Sequence, residues 1–113
     1  MRPAPHATVA VLAGEHDVST LPLLRRVLAP LNRDSGLLVM IDLSPATFID
    51  AAVLTALGDA EQAVTGRGGR FWLLPGTEPA VRRVLELTGW LRRPCVTVFD
   101  AGLWELLAAR AAW

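Results

Sequence analysis

Three consecutive residues, Glu15, His16 and Asp17, offer the side-chain types that bind metal ions. In an extended chain, however, neighbouring side chains point alternately to opposite sides, so these three cannot converge on one ion. We therefore predict no metal site at this position. The sequence also gives no reason to expect a cofactor.

Two carboxylates, Asp42 and Asp50, flank a loop of seven residues and could in principle act as a general acid and base. A turn role at the end of a strand explains the first, and a helix-capping role explains the second. No motif places a serine, a histidine and an acid together. Cys95 follows Pro94 and precedes an apolar run, which favours a small buried side chain over a nucleophile. We therefore expect a protein that is not an enzyme.

The residues from 37 to 64 form the central stretch of the chain and must position both carboxylates. Residues 37–41 are an unbroken apolar run, typical of a strand that is covered on both faces. A turn-rich connection and the apolar pair 48–49 follow. A helical pattern then begins, with one apolar stripe at spacings of four, three and four residues: Val53, Leu57, Ala60 and Val64. Asp50 immediately precedes this helix, as a cap, a recognition residue or both.

The rest of the chain alternates between strand and helix signals. Further strands are predicted at 7–12, 70–74 and 96–99. Further helices are predicted with Ser19-Thr20 as the cap of one and Thr77 as the cap of the next, which ends at Gly89, and over 101–110. Strands joined through helices imply parallel neighbours, so the pattern predicts an α/β fold with four strands and four α-helices. Residues 1–7 contain two prolines and are predicted to be a flexible lead-in to a single domain over 8–113.

Composition excludes several classes of function. The 113 residues suit one domain, and 11 basic residues balance 11 acidic ones, so no electrostatic feature indicates a nucleic-acid partner. The single cysteine excludes an internal disulfide. The first residues lack the apolar core of a signal peptide, and no apolar run approaches the ~20 residues of a membrane span. We therefore expect a cytoplasmic protein without membrane insertion.

Three short motifs resemble those of the STAS domain, a family that includes the bacterial anti-sigma factor antagonists. A strand ending I-D-L-S is followed by F-I-D at a helix start, over residues 41–50. Residues 14–17 (G-E-H-D) resemble the family's turn before its first helix, and residues 86–90 (E-L-T-G-W) resemble the end of a later helix. The resemblance covers roughly residues 8 to 110. It implies a STAS-like fold, in which a mixed or mostly parallel β-sheet of four to five strands packs with four α-helices.

The sequence departs from the phosphorylatable members at one important place. In those antagonists the aspartate of the F-I-D motif precedes hydroxyl residues, whereas Ala51 and Ala52 follow Asp50 here. Alanine has no oxygen that could accept a phosphoryl group, so the usual phosphorylation switch is predicted to be absent. Thr55, one turn into the helix, is the nearest substitute, although a threonine in a helix is usually structural.

The resemblance implies a protein-binding regulatory module that binds an anti-sigma factor kinase, a serine kinase, constitutively or under control of its own level. The implied partner-binding residues are Glu15, Asp17, Phe48, Asp50, Ala51, Ala52, Val53 and Leu54.

An alternative is a scaffold or subunit of a larger assembly, such as a transporter-associated or stress-sensing complex, with a possible homo-oligomer. In that case Val53 and Leu54 would add apolar surface at the helix start, together with Trp104 and Trp113. Nucleotide binding ranks third, because nothing in the sequence resembles a Walker loop.

Overall fold

The fold is described from a computed structural model, which describes residues 7–31 and 38–96. The strands are β1 (Ala7–Val11), β2 (Gly14–His16), β3 (Leu38–Asp42), β4 (Ala46–Ile49) and β5 (Arg70–Leu74). The α-helices are α1 (Leu21–Leu31), α2 (Ala51–Gly66) and α3 (Pro79–Leu87). The alternation of strands and helices confirms the predicted α/β class. The predicted lead-in, the last strand beyond Val96 and the helix over 101–110 lie outside the described residues.

The main sheet is parallel and has the strand order β1-β3-β5. The central strand β3 is the apolar run of the sequence, and the residues on its two faces pack differently. Val39 and Ile41 join the main core beneath the helices, whereas Met40 packs with Leu74 and Trp72 on the opposite face. All three β3 residues are completely buried. The prediction of a strand covered on both faces is therefore confirmed.

A second parallel pair, β2 with β4, continues the direction of β1 and β3 after a short break. At this break, the Gly14 N–H donates a hydrogen bond of 3.0 Å to the Pro45 carbonyl, which connects the start of β2 to the residue before β4. Gly14 has a φ of 79°, which favours glycine. The sequence predicted only a turn at 14–17 and a loop before Phe48, so both short strands are a correction to that prediction.

The helices pack their apolar stripes against the main sheet. In α2 the predicted stripe is confirmed, since Val53, Leu57, Ala60 and Val64 are all buried. In α1, Leu24 and Leu28 are buried in the same core. The sequence placed the α1 cap at Ser19-Thr20, which is wrong, because a 3-10 turn at Val18–Thr20 precedes the helix and Asp17 caps that turn.

Helix α3 follows β5 and leads into the 3-10 turn Trp90–Arg92. Glu78 occupies its N-cap position without a side-chain hydrogen bond, so the predicted cap at Thr77 is wrong. The helix is followed by Gly89, whose φ of 79° allows the chain to turn, as predicted. The chain then returns to the sheet, where Val96 forms a parallel bridge with Leu73 of β5.

Candidate functional site

The carboxyl ends of β2 and β4 bring two predicted partner-binding residues together. The strands are parallel, and their register pairs Glu15 with Phe48 and His16 with Ile49. Paired residues of adjacent strands project from the same face of a sheet. Glu15 is exposed, and 41% of the Phe48 surface is exposed, so an acid and an aromatic ring stand side by side at the surface.

Asp17, the residue after β2, has its side chain engaged in local hydrogen bonds. Its Oδ1 accepts from the Ser19 N–H at 2.8 Å and from the Ser19 hydroxyl, and its own N–H donates to Thr20 Oγ1 at 3.1 Å. The two hydrogen bonds to Oδ1, above all that from the Ser19 hydroxyl, favour the ionised carboxylate and lower the pKa of Asp17 below its ordinary value. Asp17 therefore presents a negative charge in a fixed geometry at the start of the 3-10 turn that precedes α1.

Asp50, the residue after β4, has the equivalent position at the start of α2. Its Oδ1 accepts a hydrogen bond of 3.0 Å from the Val53 N–H, which confirms the predicted N-cap. The next residue, Ala51, is exposed, and Ala52 is half-buried. The two capping aspartates therefore follow paired strands, and both helical segments begin at the same end of the β2–β4 pair.

Two residues of the predicted surface are buried instead of exposed. The side chain of Val53 is 0% exposed and that of Leu54 is 2% exposed, because this side of α2 faces the core. The expectation that they add apolar surface at the helix start is therefore wrong. They support the helix start from beneath. Trp104 and Trp113 lie outside the described residues.

Thr55 is exposed, but its hydroxyl has a local partner. It donates a hydrogen bond of 3.1 Å to the Ala51 carbonyl, one turn earlier in α2. Such back-bonding is the common structural role of threonine in a helix.

A surface cleft beside the start of α2 was not predicted from the sequence. It has a volume of about 320 Å³ and lies between α2 and the 3-10 turn Trp90–Arg92. Arg93 closes one side, where its guanidinium lies 3.9 Å from the centre of the Trp90 ring and 2.7 Å from Glu61 Oε1. Gly58, in the middle of α2, borders the cleft, and a Cβ there would make ordinary van der Waals contact with both side chains.

The remaining candidates for chemistry have structural partners. His16 Nε2 donates to the Ala13 carbonyl at 2.9 Å, and Asp42 Oδ1 accepts from the Ser44 N–H at 2.9 Å, which confirms the predicted turn role. Cys95 is buried, as predicted, and burial, helped by the neighbouring Glu61, raises its pKa to about 12. A thiol with such a pKa is a poor nucleophile at neutral pH.

Two further findings concern the described residues as a whole. Within 7–31 and 38–96, no three histidine, cysteine or acidic side chains are grouped as metal ligands. No helix in these ranges combines the length and the apolar character that crossing a membrane requires.

Comparison with known proteins agrees with this geometry. The chain resembles the crystal structure of an anti-sigma factor antagonist from Mycobacterium paratuberculosis, with a TM-score of 0.75, 26% identity, and coverage of 96% of this chain and 88% of that one. It also shares the fold of a predicted anti-sigma factor antagonist from Thermotoga maritima, with a TM-score of 0.73, 20% identity, and coverage of 93% and 90%. A search of curated proteins gives no match. The family model of the STAS domain matches residues 2–101. The chain therefore belongs to the STAS domain family.

Proposed function

We propose that this protein is a cytoplasmic, non-enzymatic regulatory module that acts as an anti-sigma factor antagonist by binding an anti-sigma factor kinase. The observation that carries the proposal is the surface formed where β2 and β4 end, which we call the strand-end surface: Glu15, Asp17, Phe48, Asp50, Ala51 and Ala52. The similar structure from Mycobacterium paratuberculosis carries the name of that function.

The chemistry of the strand-end surface suits a protein partner. Phe48 provides an exposed aromatic ring, a side chain that is enriched at protein interfaces. Glu15 beside it provides a carboxylate, and Asp17 adds a second negative charge on the following turn. A complementary partner surface would combine apolar contact area with basic side chains, which steer association and fix the orientation of the complex.

The proposed binding is not regulated by phosphorylation at Ala51 or Ala52, the positions after Asp50. A phosphoryl group would add a charge of about −2 at pH 7, and next to the Asp50 carboxylate it would oppose docking on the same surface. Ala51 and Ala52 have no hydroxyl to carry that group. Binding is then constitutive, and the amount of the protein controls it.

The test is affinity purification from a lysate of the source organism, with the retained proteins identified by mass spectrometry. The wild-type protein should retain a kinase of the anti-sigma factor class. Glu15→Arg should abolish that retention, because it reverses an exposed charge beside Phe48. The matched control is Glu86→Arg, an exposed glutamate on α3, which should retain the kinase as the wild type does.

Phe48→Ala, compared with Leu87→Ala, tests the apolar part of the surface in the same assay. Both residues are exposed, at 41% and 75% respectively, and only Phe48 belongs to the strand-end surface. Recovery of transporter or stress-complex subunits without a kinase would contradict the proposal and favour the scaffold function. Equal retention of a kinase by all variants would place its docking elsewhere on the molecule.

A further inference from the structure

In the part of the chain that the structure describes, strand β1 is an edge of the main sheet. It pairs with β3 on one side, and no other strand among residues 7–31 and 38–96 pairs with it. Edge strands usually carry charged residues, prolines or bulges that discourage pairing with another chain. The sequence of β1, Ala-Thr-Val-Ala-Val, contains no charge and no proline, and its register with β3 runs without a bulge.

The backbone direction shows which groups this edge presents. The Leu12 N–H donates to the Asp42 carbonyl at 3.0 Å, so Leu12 directs its backbone groups towards β3. In a strand the backbone groups of successive residues alternate between the two sides. Thr8 and Ala10 therefore also bond towards β3, and Ala7, Val9 and Val11 direct their N–H and C=O groups outwards.

An apolar groove runs along the same edge. It has a volume of about 230 Å³ and lies between β1 and α1, with Leu12 and Leu24 among the residues at its base. Its outer rim is formed by Leu23 and Val27 of α1, which are 64% and 49% exposed, and Val11 of β1 borders it at the edge of the sheet. Half-exposed apolar side chains that line one groove indicate an interaction surface, unlike apolar residues scattered singly.

We propose that this edge is a dimerisation surface on which the β1 strands of two copies pair antiparallel across a two-fold axis. Centring the axis on Val9 uses all three outward-facing residues, because Val9 faces its own copy and Val11 faces Ala7. The two main sheets become one continuous sheet. The two α1 helices lie on the same face of it, with Leu23 and Val27 next to the axis.

The absence of charge on β1 and on the groove rim favours a second copy of this chain as the binding partner. A two-fold interface places each residue close to its own counterpart, so any charge on the surface meets a like charge. The strand and the rim residues Leu23 and Val27 carry no charge, and His16, the titratable residue that lines the groove, donates to the Ala13 carbonyl. This surface can therefore face itself without repulsion. The proposal does not depend on the strand-end surface or on its partner.

Sedimentation velocity of the purified full chain, from about 5 µM to about 1 mM, tests the proposal. The wild type should pass from monomer to dimer within this range, since a single strand pair is a small interface. Val11→Pro should weaken the dimer about tenfold or more, because it removes one outward N–H from each copy. Val11→Thr keeps that N–H and a similar shape, so it should dimerise within about threefold of the wild type.

Leu23→Glu, compared with Leu87→Glu, tests the groove independently of the strand. Both leucines are exposed on helices, and Leu87 lies on α3, away from the residues that line the groove. Leu23→Glu should abolish dimerisation and Leu87→Glu should leave it unchanged, with circular dichroism showing that all variants are folded. A wild type that stays monomeric, or a dimer that both Val11→Pro and Leu23→Glu leave intact, would overturn the proposal.

Discussion

Replacing Asp50 separates its capping role from its place on the strand-end surface. The Asp50 carboxylate accepts one hydrogen bond of 3.0 Å from the Val53 N–H at the start of α2. Asp50→Ala removes this acceptor and should lower the free energy of unfolding by about 0.5–2 kcal/mol. Asparagine caps about as well as aspartate, so Asp50→Asn should remain within about 0.5 kcal/mol of the wild type. For a domain of this size, 1 kcal/mol corresponds to roughly 4 °C in Tm.

Urea denaturation followed by circular dichroism measures these differences. Asp59→Ala is the matched control, because Asp59 is exposed in the middle of the same helix, and it should change stability by at most about 0.5 kcal/mol. If Asp50→Ala is as stable as the wild type, the hydrogen bond does not stabilise α2. If Asp50→Asn loses as much as Asp50→Ala, the charge matters and the acceptor geometry does not. A stable Asp50→Asn that no longer retains the kinase would assign the charge to partner recognition.

Three further predictions concern local features. Gly76→Ala should cost roughly 2 kcal/mol more stability in urea than Gly68→Ala, since both glycines have a positive φ but only at Gly76 would the added Cβ lie 2.7 Å from neighbouring backbone. Native Cys95, with its pKa raised to about 12, should react with iodoacetamide at pH 8 on the order of 1000-fold more slowly than the unfolded chain. Comparable rates would refute its burial. Because the pKa of Asp17 is lowered on folding, its ionised form stabilises the protein above the ordinary aspartate pKa, and this contribution is lost as the pH falls. Ser19→Ala should raise the pKa of Asp17 in an NMR titration. An unchanged pKa would contradict the hydrogen bonds as its cause.

The parts of the fold that depend on local pattern were predictable from the sequence. Strand β5 lies at Arg70–Leu74, as predicted, because a compact apolar run is bounded by glycines and a proline. The helix over Ala51–Gly66 was predicted because its apolar spacing is regular. Strands β2 and β4 were missed, since neither is long or apolar enough by itself. Each is a strand only through pairing with the other, and Gly14 and Pro45, which hold that pairing, are far apart in sequence.

The residues at the ends of β2 and β4 could be named from the sequence, but their arrangement could not. The spacing indicated Asp50 as a cap, and the structure confirms it. The pairing of Glu15 with Phe48 depends on strand register, which no local pattern specifies. Val53 was placed both on the buried stripe and on the surface. The helical period favoured the stripe, and the burial of Val53 agrees with that interpretation.

Calorimetry of the purified protein with the co-purified kinase, carried out with and without ATP, tests the proposed function. The wild type should bind the kinase equally well in both conditions. Ala51→Ser restores a hydroxyl at an exposed position beside the Asp50 carboxylate, so it should bind without ATP and lose affinity once phosphorylated. No binding by the wild type would contradict the proposed function. Loss of wild-type binding with ATP, together with phosphate on Thr55, would show that a phosphorylation switch operates after all.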